Sequence, residues 1–136
     1  MKSKAVTDEE YETLAAFRYE LRRFLHFSEA AAETVGLTPQ QHQALLAIRG
    51  FRGPGVMTVG ELAERLQIKH HSAVGLANRL AKQGLIARQT SPDDRRQVLL
   101  SLTAHGDDLL AELTAAHKAE VRRMHVTLRE LLENFG

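Results

Sequence analysis

A chain of 136 residues without cysteine can bury a single core without disulfides, and it excludes thiolate metal sites, cysteine nucleophiles and thiol redox switches. The first 14 residues contain no apolar signal core, and no segment approaches the roughly 20 apolar residues of a membrane span, so we expect a cytoplasmic protein that contacts no membrane. The net charge of +1 is unevenly distributed along the chain, because residues 37–103 carry nine Lys or Arg and only four acidic residues. A basic middle segment favours contact with a polyanion, and the alternative is a random scatter of charge over a solvated surface.

Three Thr-x-x-Glu or Thr-x-x-Gln capping boxes, at 7–10, 38–41 and 58–61, predict the starts of three helices. The first helix keeps an apolar stripe until Gly36, which is placed to end it. The second is short and breaks in a loop that contains Gly-Pro-Gly at 53–55. The buried face of this second helix is predicted to consist of Leu45, Leu46 and Ile48.

A three-residue link, 67–69, separates the third helix from a fourth that is predicted over 70–83 and closed by Gly84. So short a link forces the two helices to cross at a sharp angle. One face of the fourth helix is small, polar and mildly basic, which lets a helix lie deep in a DNA major groove about 12 Å wide. The apolar residues at the spacing i, i+3, i+4 and i+7 are predicted to face the core: Ala73, Leu76, Ala77 and Leu80.

Two β-rich runs, 85–89 and 98–102, flank an eight-residue segment and predict a hairpin with a long tip. Thr103 is placed to cap a last helix, whose first turn is predicted to hold Asp107 and Asp108 beside the positive end of the helix dipole. Short helices, a hairpin and a helix in this order predict a winged helix-turn-helix.

The last helix carries one long apolar seam, and the first helix has a comparable stripe. A stripe of this length needs a partner, so we expect the terminal helices, 7–35 and 104–135, to pack together within one chain and across a two-fold axis. His117, inside the seam, is expected to be neutral and hydrogen-bonded, and a pH-sensitive dimer is the alternative. The seam consists of Leu110, His117, Val121, Met124, Leu128, Leu131 and Phe135.

Several motifs stand in an order that points to one family. Asp94 and Arg96 match a D-x-R pattern in the hairpin tip, and Leu-Thr-x-x-Gly follows at 102–106. Leu-Thr-Pro-Gln-Gln at 37–41 and Arg-Leu-Ala-Lys-Gln-Gly-Leu-Ile at 79–86 complete the set. Over nearly its whole length, the chain resembles the MarR-type (multiple antibiotic resistance regulator) transcriptional regulators.

The resemblance implies a mainly α fold with an α+β wing, in a single domain over 1–136. A winged helix-turn-helix lobe at 37–103 would bind DNA, and long N- and C-terminal helices at 7–35 and 104–135 would form the dimer. The implied protein is a sequence-specific DNA-binding transcriptional regulator, namely a homodimeric repressor of a pseudo-palindromic operator in double-stranded DNA, released by a small aromatic effector. The alternative is a ligand- or protein-binding module of the same fold with only non-specific DNA affinity.

The wing and the fourth helix supply the DNA contacts that the resemblance implies. Arg96 suits a narrow, electronegative minor groove and Asp94 is placed to orient its guanidinium, the alternative being a plain surface ion pair. Val74 and Gly75 stand where family members often carry a basic or long polar residue, so we expect a thymine-methyl contact and a close backbone approach there. The predicted DNA-binding residues are Lys69, His70, His71, Ser72, Val74, Gly75, Asn78, Arg79, Lys82, Arg88, Asp94, Arg95 and Arg96.

Other chemistry is not indicated by the sequence. It contains no glycine-rich phosphate loop, HExxH motif or serine elbow, so we expect neither an enzyme nor a cofactor. His70 and His71 point about 100° apart on a helix and are not expected to share a metal ion. The resemblance makes His26, Phe27 and His42 candidates for the lining of an effector pocket, and structural or exposed side chains are the alternative.

Overall fold

In the computed structural model, which describes residues 5–51 and 56–135, the chain is mainly helical with a small antiparallel sheet, as predicted. It forms two compact units, one comprising Ala32–Leu113 and the other the chain up to Ala31 and from Thr114. Within the described ranges, no helix is both long and apolar enough to cross a membrane. The elements are α1 (Asp8–Thr34), α2 (Pro39–Gly50), β1 (Met57–Thr58), α3 (Val59–Leu66), α4 (His70–Lys82), β2 (Ile86–Thr90), β3 (Val98–Leu102) and α5 (Ala104–Glu133).

All three predicted capping boxes are present. In the first, the Glu10 backbone N–H donates to Thr7 Oγ1 at 3.1 Å and the Thr7 N–H donates to Glu10 Oε1 at 3.0 Å. The same reciprocal pair opens α2 and α3. Gly36 ends α1 in the left-handed region, with φ of 77°, and the next N–H donates to the carbonyl of Ala32 at 3.0 Å. The predicted Gly-Pro-Gly break at 53–55 lies outside the described residues.

The buried face of α2 differs from the prediction at one position. Leu45 and Ile48 are fully buried as expected, whereas Leu46 is 48% exposed. Of the five buried positions of α2, 41, 44, 45 and 48 follow the spacing i, i+3, i+4 and i+7 and His42 lies beside them, whereas Leu46 lies off this stripe because each residue turns a helix by about 100°. Gln41 is buried instead, and its Nε2 donates to Gln83 Oε1 at 3.2 Å.

The sheet contains a strand that the sequence did not predict. β1 pairs with β3, which also pairs with β2, so the order is β1-β3-β2 and all pairs are antiparallel. Met57 of β1 is 1% exposed and lies opposite Leu100, which is fully buried. β2 starts at Ile86, one residue later than predicted, because the Leu85 N–H is engaged with the Leu80 carbonyl at the end of α4. β3 has the predicted bounds.

The start of α5 is locked onto the turn that ends α4. Thr103 donates from its N–H to the Leu85 carbonyl at 3.0 Å and from Oγ1 to the Gly84 carbonyl at 2.6 Å. The same Oγ1 accepts from the Gly106 N–H at 3.1 Å, which is the predicted cap. In the first turn the acid is Asp107, which pairs with Arg49 Nε at 3.0 Å, and Asp108 lies beyond this turn, contrary to the prediction.

In the unit formed by the chain up to Ala31 and from Thr114, an ion-pair cluster joins the two terminal helices within one chain. Arg123 of α5 donates from Nη2 to Glu20 Oε2 of α1 at 3.0 Å and to Glu120 Oε1 at 2.8 Å. We call Glu20, Glu120 and Arg123 the Arg123 cluster. His117 packs against the edge of Phe24 and Phe27, with ring centroids 5.9 and 5.1 Å away.

Acid is expected to weaken the Arg123 cluster through Glu120. The hydrogen bond from Arg123 holds the pKa of this carboxyl below its ordinary value of 4.5, although partial desolvation opposes the shift. Because the folded pKa is the lower one, the carboxylate stabilises the folded state above about pH 4.5, and this contribution is lost as the pH falls through the folded value. Melting at pH 6 and pH 3 should therefore show a smaller loss of Tm for Glu120→Gln than for the wild type. Glu130→Gln on the same helix is the control, and an equal loss of Tm in all three proteins would contradict the assignment.

Candidate nucleic-acid interface

The fourth helix presents the two faces that its sequence predicts. Its four predicted core residues are all buried, at 0–1% exposure. Lys69 occupies the N-cap, and a lysine cannot accept hydrogen bonds from the first amides of the helix, so these amides can meet an anion. The outer side is formed by exposed residues with Gly75 half-buried among them: His70, His71, Ser72, Val74, Asn78, Arg79 and Lys82.

A left-handed residue that is not glycine makes the turn between α3 and α4. Gln67 has φ of 55° and ψ of 47°, and its Nε2 donates to the Glu64 carbonyl at 2.8 Å. The Ile68 N–H donates to the Ala63 carbonyl at 3.0 Å, which closes the end of α3. The side-chain bond of Gln67 stabilises a left-handed backbone conformation that usually favours glycine. This conformation turns the chain between the end of α3 and the start of α4.

The wing, which is the β2–β3 hairpin with its tip at 91–97, carries Arg96 in an ion pair with Asp94. The Arg96 side chain is 92% exposed, and its Nε lies 3.3 Å from Asp94 Oδ1. The backbone N–H of Arg96 donates to the same oxygen at 3.0 Å, so one carboxylate holds both the backbone and the guanidinium. Arg95 beside it is exposed as well. This arrangement leaves the guanidinium face of Arg96 directed at solvent.

Ser91, which is not among the predicted site residues, holds the start of the hairpin tip. It is 6% exposed, and its Oγ accepts from the N–H groups of Asp93 and Asp94 at 3.3 and 3.4 Å. The Ser91 N–H donates to the Gln97 carbonyl at 3.0 Å and closes the hairpin. The available signal was Ser-Pro-Asp at 91–93, a pattern typical of a side-chain-capped turn.

Arg88 connects the wing to α4. It lies on β2, and its Nη1 donates to Asn78 Oδ1 of α4. Among the residues that the structure describes, six exposed cations thus lie on or next to α4 and the wing: Lys69, Arg79, Lys82, Arg88, Arg95 and Arg96. All thirteen predicted DNA-binding residues belong to the Ala32–Leu113 unit.

The three candidate effector residues are divided between the two units. His26 and Phe27 line a shallow groove of about 500 Å³ on α1, together with Tyr19, Arg22, Arg23 and Ala30. His42 is 4% exposed and belongs to the unit Ala32–Leu113. In the part of the chain that the structure describes, no three His, Asp or Glu side chains are grouped to hold a metal ion.

Comparison with known proteins identifies the family. A model of the MarR family matches residues 35–97. The chain is 36% identical over 103 residues to the HTH-type transcriptional repressor MdtR of Bacillus subtilis, covering 74% of this chain and 64% of MdtR. It is 30% identical over 101 residues to the uncharacterized HTH-type transcriptional regulator ML2140 of Mycobacterium leprae, covering 71% of each chain. This chain belongs to the MarR family.

Solved structures of MarR-family proteins share the fold of this member. AbsC of Streptomyces coelicolor superposes with a TM-score of 0.76 at 24% identity, covering 96% of this chain and 90% of AbsC. A mutant of MarR from E. coli, solved in complex with operator DNA, superposes with a TM-score of 0.65 at 20% identity, covering 98% of this chain and 89% of MarR. The MarR family consists of winged-helix transcriptional regulators.

Proposed function

We propose that the protein is a homodimeric repressor that binds a pseudo-palindromic operator through α4 and the wing. The observation that carries this proposal is Arg96, whose side chain is 92% exposed and pairs with Asp94 at the tip of the wing. An arginine fixed in this way suits the narrow, electronegative minor groove of DNA. The outer face of α4 would lie in the neighbouring major groove, as in other helix-turn-helix proteins. The proposed role as a repressor is based on the similarity to MdtR, which is a transcriptional repressor.

Such a regulator would act in the cytoplasm.

The two-fold pairing rests on the apolar side chains of the terminal helices. Tyr11, Leu14 and Leu25 of α1 are 49–65% exposed, and so are Val121, Val126 and Leu132 of α5. Leaving this many large apolar groups in water is unfavourable, and a second copy of the same helices can cover them. In such a dimer, each protomer would place its own α4 on one half of the palindrome.

Release by a small aromatic ligand is the regulatory part of the proposal. The groove on α1 combines the aromatic rings of Tyr19 and Phe27 with the cations Arg22 and Arg23. Rings stack on an aromatic ligand, and cations pair with a carboxylate or phenolate. Such a ligand would release DNA only if it binds one dimer shape more tightly than the other.

Enrichment of genomic fragments by the purified full chain at near-physiological salt tests the proposed function. We expect a recurring inverted repeat with half-sites about one helical turn apart. Within that repeat, Asn78→Ala should relax the base preference, whereas Lys82→Ala should weaken all sequences alike because lysine contacts phosphate. Uniform retention of every fragment would contradict the proposal and favour a module with only electrostatic DNA affinity.

Replacement of Gly75 by alanine is expected to stabilise the protein and weaken operator binding together. A Cβ at this position would meet Arg79 Nη1 at 3.4 Å, which is ordinary contact with a flexible group. Alanine in a helix interior is favoured over glycine by about 0.5–1 kcal/mol, so Tm should rise by a few degrees. The new methyl group would stand on the DNA-facing side of α4 and keep the backbone away from the bases. Thermal melting and operator titration check the two effects, and an affinity that stays unchanged would show that the backbone does not approach DNA here.

A further inference from the structure

Arg88 is directed at the recognition helix by the register of the sheet. It pairs with Leu100 of β3, and paired residues of antiparallel strands project to the same side of a sheet. Leu100 is fully buried, so this side is the one that faces the core and its helices. The exposed end of Arg88 therefore extends toward α4, where Nη1 donates to Asn78 Oδ1.

The partner of Arg88 defines which way the amide of Asn78 points. A guanidinium has only donors, so the amide atom that faces it must be the oxygen. The Nδ2 group, with its two N–H donors, then lies on the other arm of the amide and is the one left for DNA. A second lone pair remains on Oδ1, but a base N–H that approaches it meets the positive charge of Arg88.

Asparagine usually reads adenine, because it can accept from N6 and donate to N7 at the same time. This reading needs both arms of the amide. With Oδ1 held by Arg88, the amide of Asn78 offers donors, and the remaining N–H groups of Arg88 add further donors beside it. Guanine presents two acceptors in the major groove, O6 and N7, whereas adenine presents one acceptor and one donor and cytosine presents a donor.

We propose that Arg88 sets the base specificity of Asn78, so that the Arg88–Asn78 pair selects guanine over adenine at one position of each half-site. This inference rests on the proposed function, since it names what the recognition helix reads. Arg88 thereby acts on specificity from a strand of the wing, outside the recognition helix. The pair also couples the two DNA-facing elements, because a shift of β2 relative to α4 would release the amide.

Selection of bound duplexes from a library with randomised half-sites tests the pair. The position that Asn78 reads is the one whose preference changes in Asn78→Ala. At this position the wild type should favour guanine over adenine by roughly five- to a hundredfold. Arg88→Ala should move the preference at this same position toward adenine and leave the other positions unchanged. Arg88→Lys, which keeps a charged donor on a long side chain, should retain guanine. Equal Tm values of the variants confirm that they are folded.

Three results would overturn the inference while leaving the proposed function intact. The wild type could favour adenine at this position, or no position could change its base preference in Asn78→Ala. The third such result is an Arg88→Ala variant with the same base preference as the wild type. A uniform loss of affinity for all sequences in Arg88→Ala would likewise show a phosphate contact and no role in specificity. A wild type that enriches no sequence at all would overturn the proposed function itself, and the inference with it.

Discussion

Replacement of Arg96 by alanine is expected to weaken operator binding by at least about tenfold and to reduce its salt dependence, with no loss of stability. The Arg96–Asp94 ion pair lies on the surface, with the arginine side chain 92% exposed, and such pairs contribute little to folding. In the complex with DNA, each wing would place the positive charge of Arg96 close to the DNA phosphates. Its loss should lower the slope of log K against log salt by about one unit for each wing. Operator titrations between 50 and 200 mM salt measure both quantities.

A matched control separates a wing contact from a general loss of charge. Arg129→Ala removes the same charge from the exposed surface of α5, outside the unit that carries α4 and the wing. We expect this variant to keep the operator affinity and nearly the full salt slope. Equal effects of the two substitutions, or the absence of an effect for Arg96→Ala, would contradict the assignment of the wing to the minor groove.

Replacement of Gly106 by alanine is expected to destabilise the fold by about 3 kcal/mol. A Cβ at Gly106 would lie 2.0 Å from the carbonyl oxygen of Leu85 and 3.0 Å from its carbonyl carbon. These are backbone atoms, and the same carbonyl accepts from the Thr103 N–H, so a shift of either side would disturb the hydrogen bonds that hold the start of α5 to the turn after α4. Thermal melting should show a Tm lower by roughly 10 °C.

Gly60→Ala provides the control for this prediction. Gly60 is also helical and close to a helix start, but an added Cβ there would meet only Thr58 Oγ1 at 3.9 Å. This variant should be as stable as the wild type or slightly more stable, because alanine favours helix. A Gly106→Ala protein that melts with the Gly60→Ala protein would show that α5 can shift away from Leu85 at little cost.

Features that depend on nearby residues could be predicted from the sequence. The capping boxes at 7–10, 38–41 and 58–61 form as predicted, because each is a reciprocal pair of bonds over three residues. The core face of α4 is confirmed because a single apolar stripe with small residues opposite it allows one orientation. Family membership is confirmed as well, since it rests on several motifs in a fixed order.

Features that depend on distant partners could not be predicted. β1 is a strand only because Met57 finds Leu100 across the sheet, and two residues carry no periodicity of their own. The exposure of Leu46 is a different case, because its phase on the helix relative to Leu45 and Ile48 is local information that already places it off the buried stripe. The bond between Arg88 and Asn78 joins a strand to a helix, so neither the amide orientation nor its effect on base choice has a signal in the sequence.

The claim that the protein binds DNA sequence-specifically is tested most directly by the ratio of its affinities for operator and for scrambled DNA. The wild type would be titrated with the inverted repeat recovered from the genome and with a scrambled duplex of the same length and composition, at one near-physiological salt concentration. We expect at least about a thousandfold tighter binding to the inverted repeat. A ratio close to one would contradict it, because the cations of α4 and the wing would then bind DNA only through its phosphates.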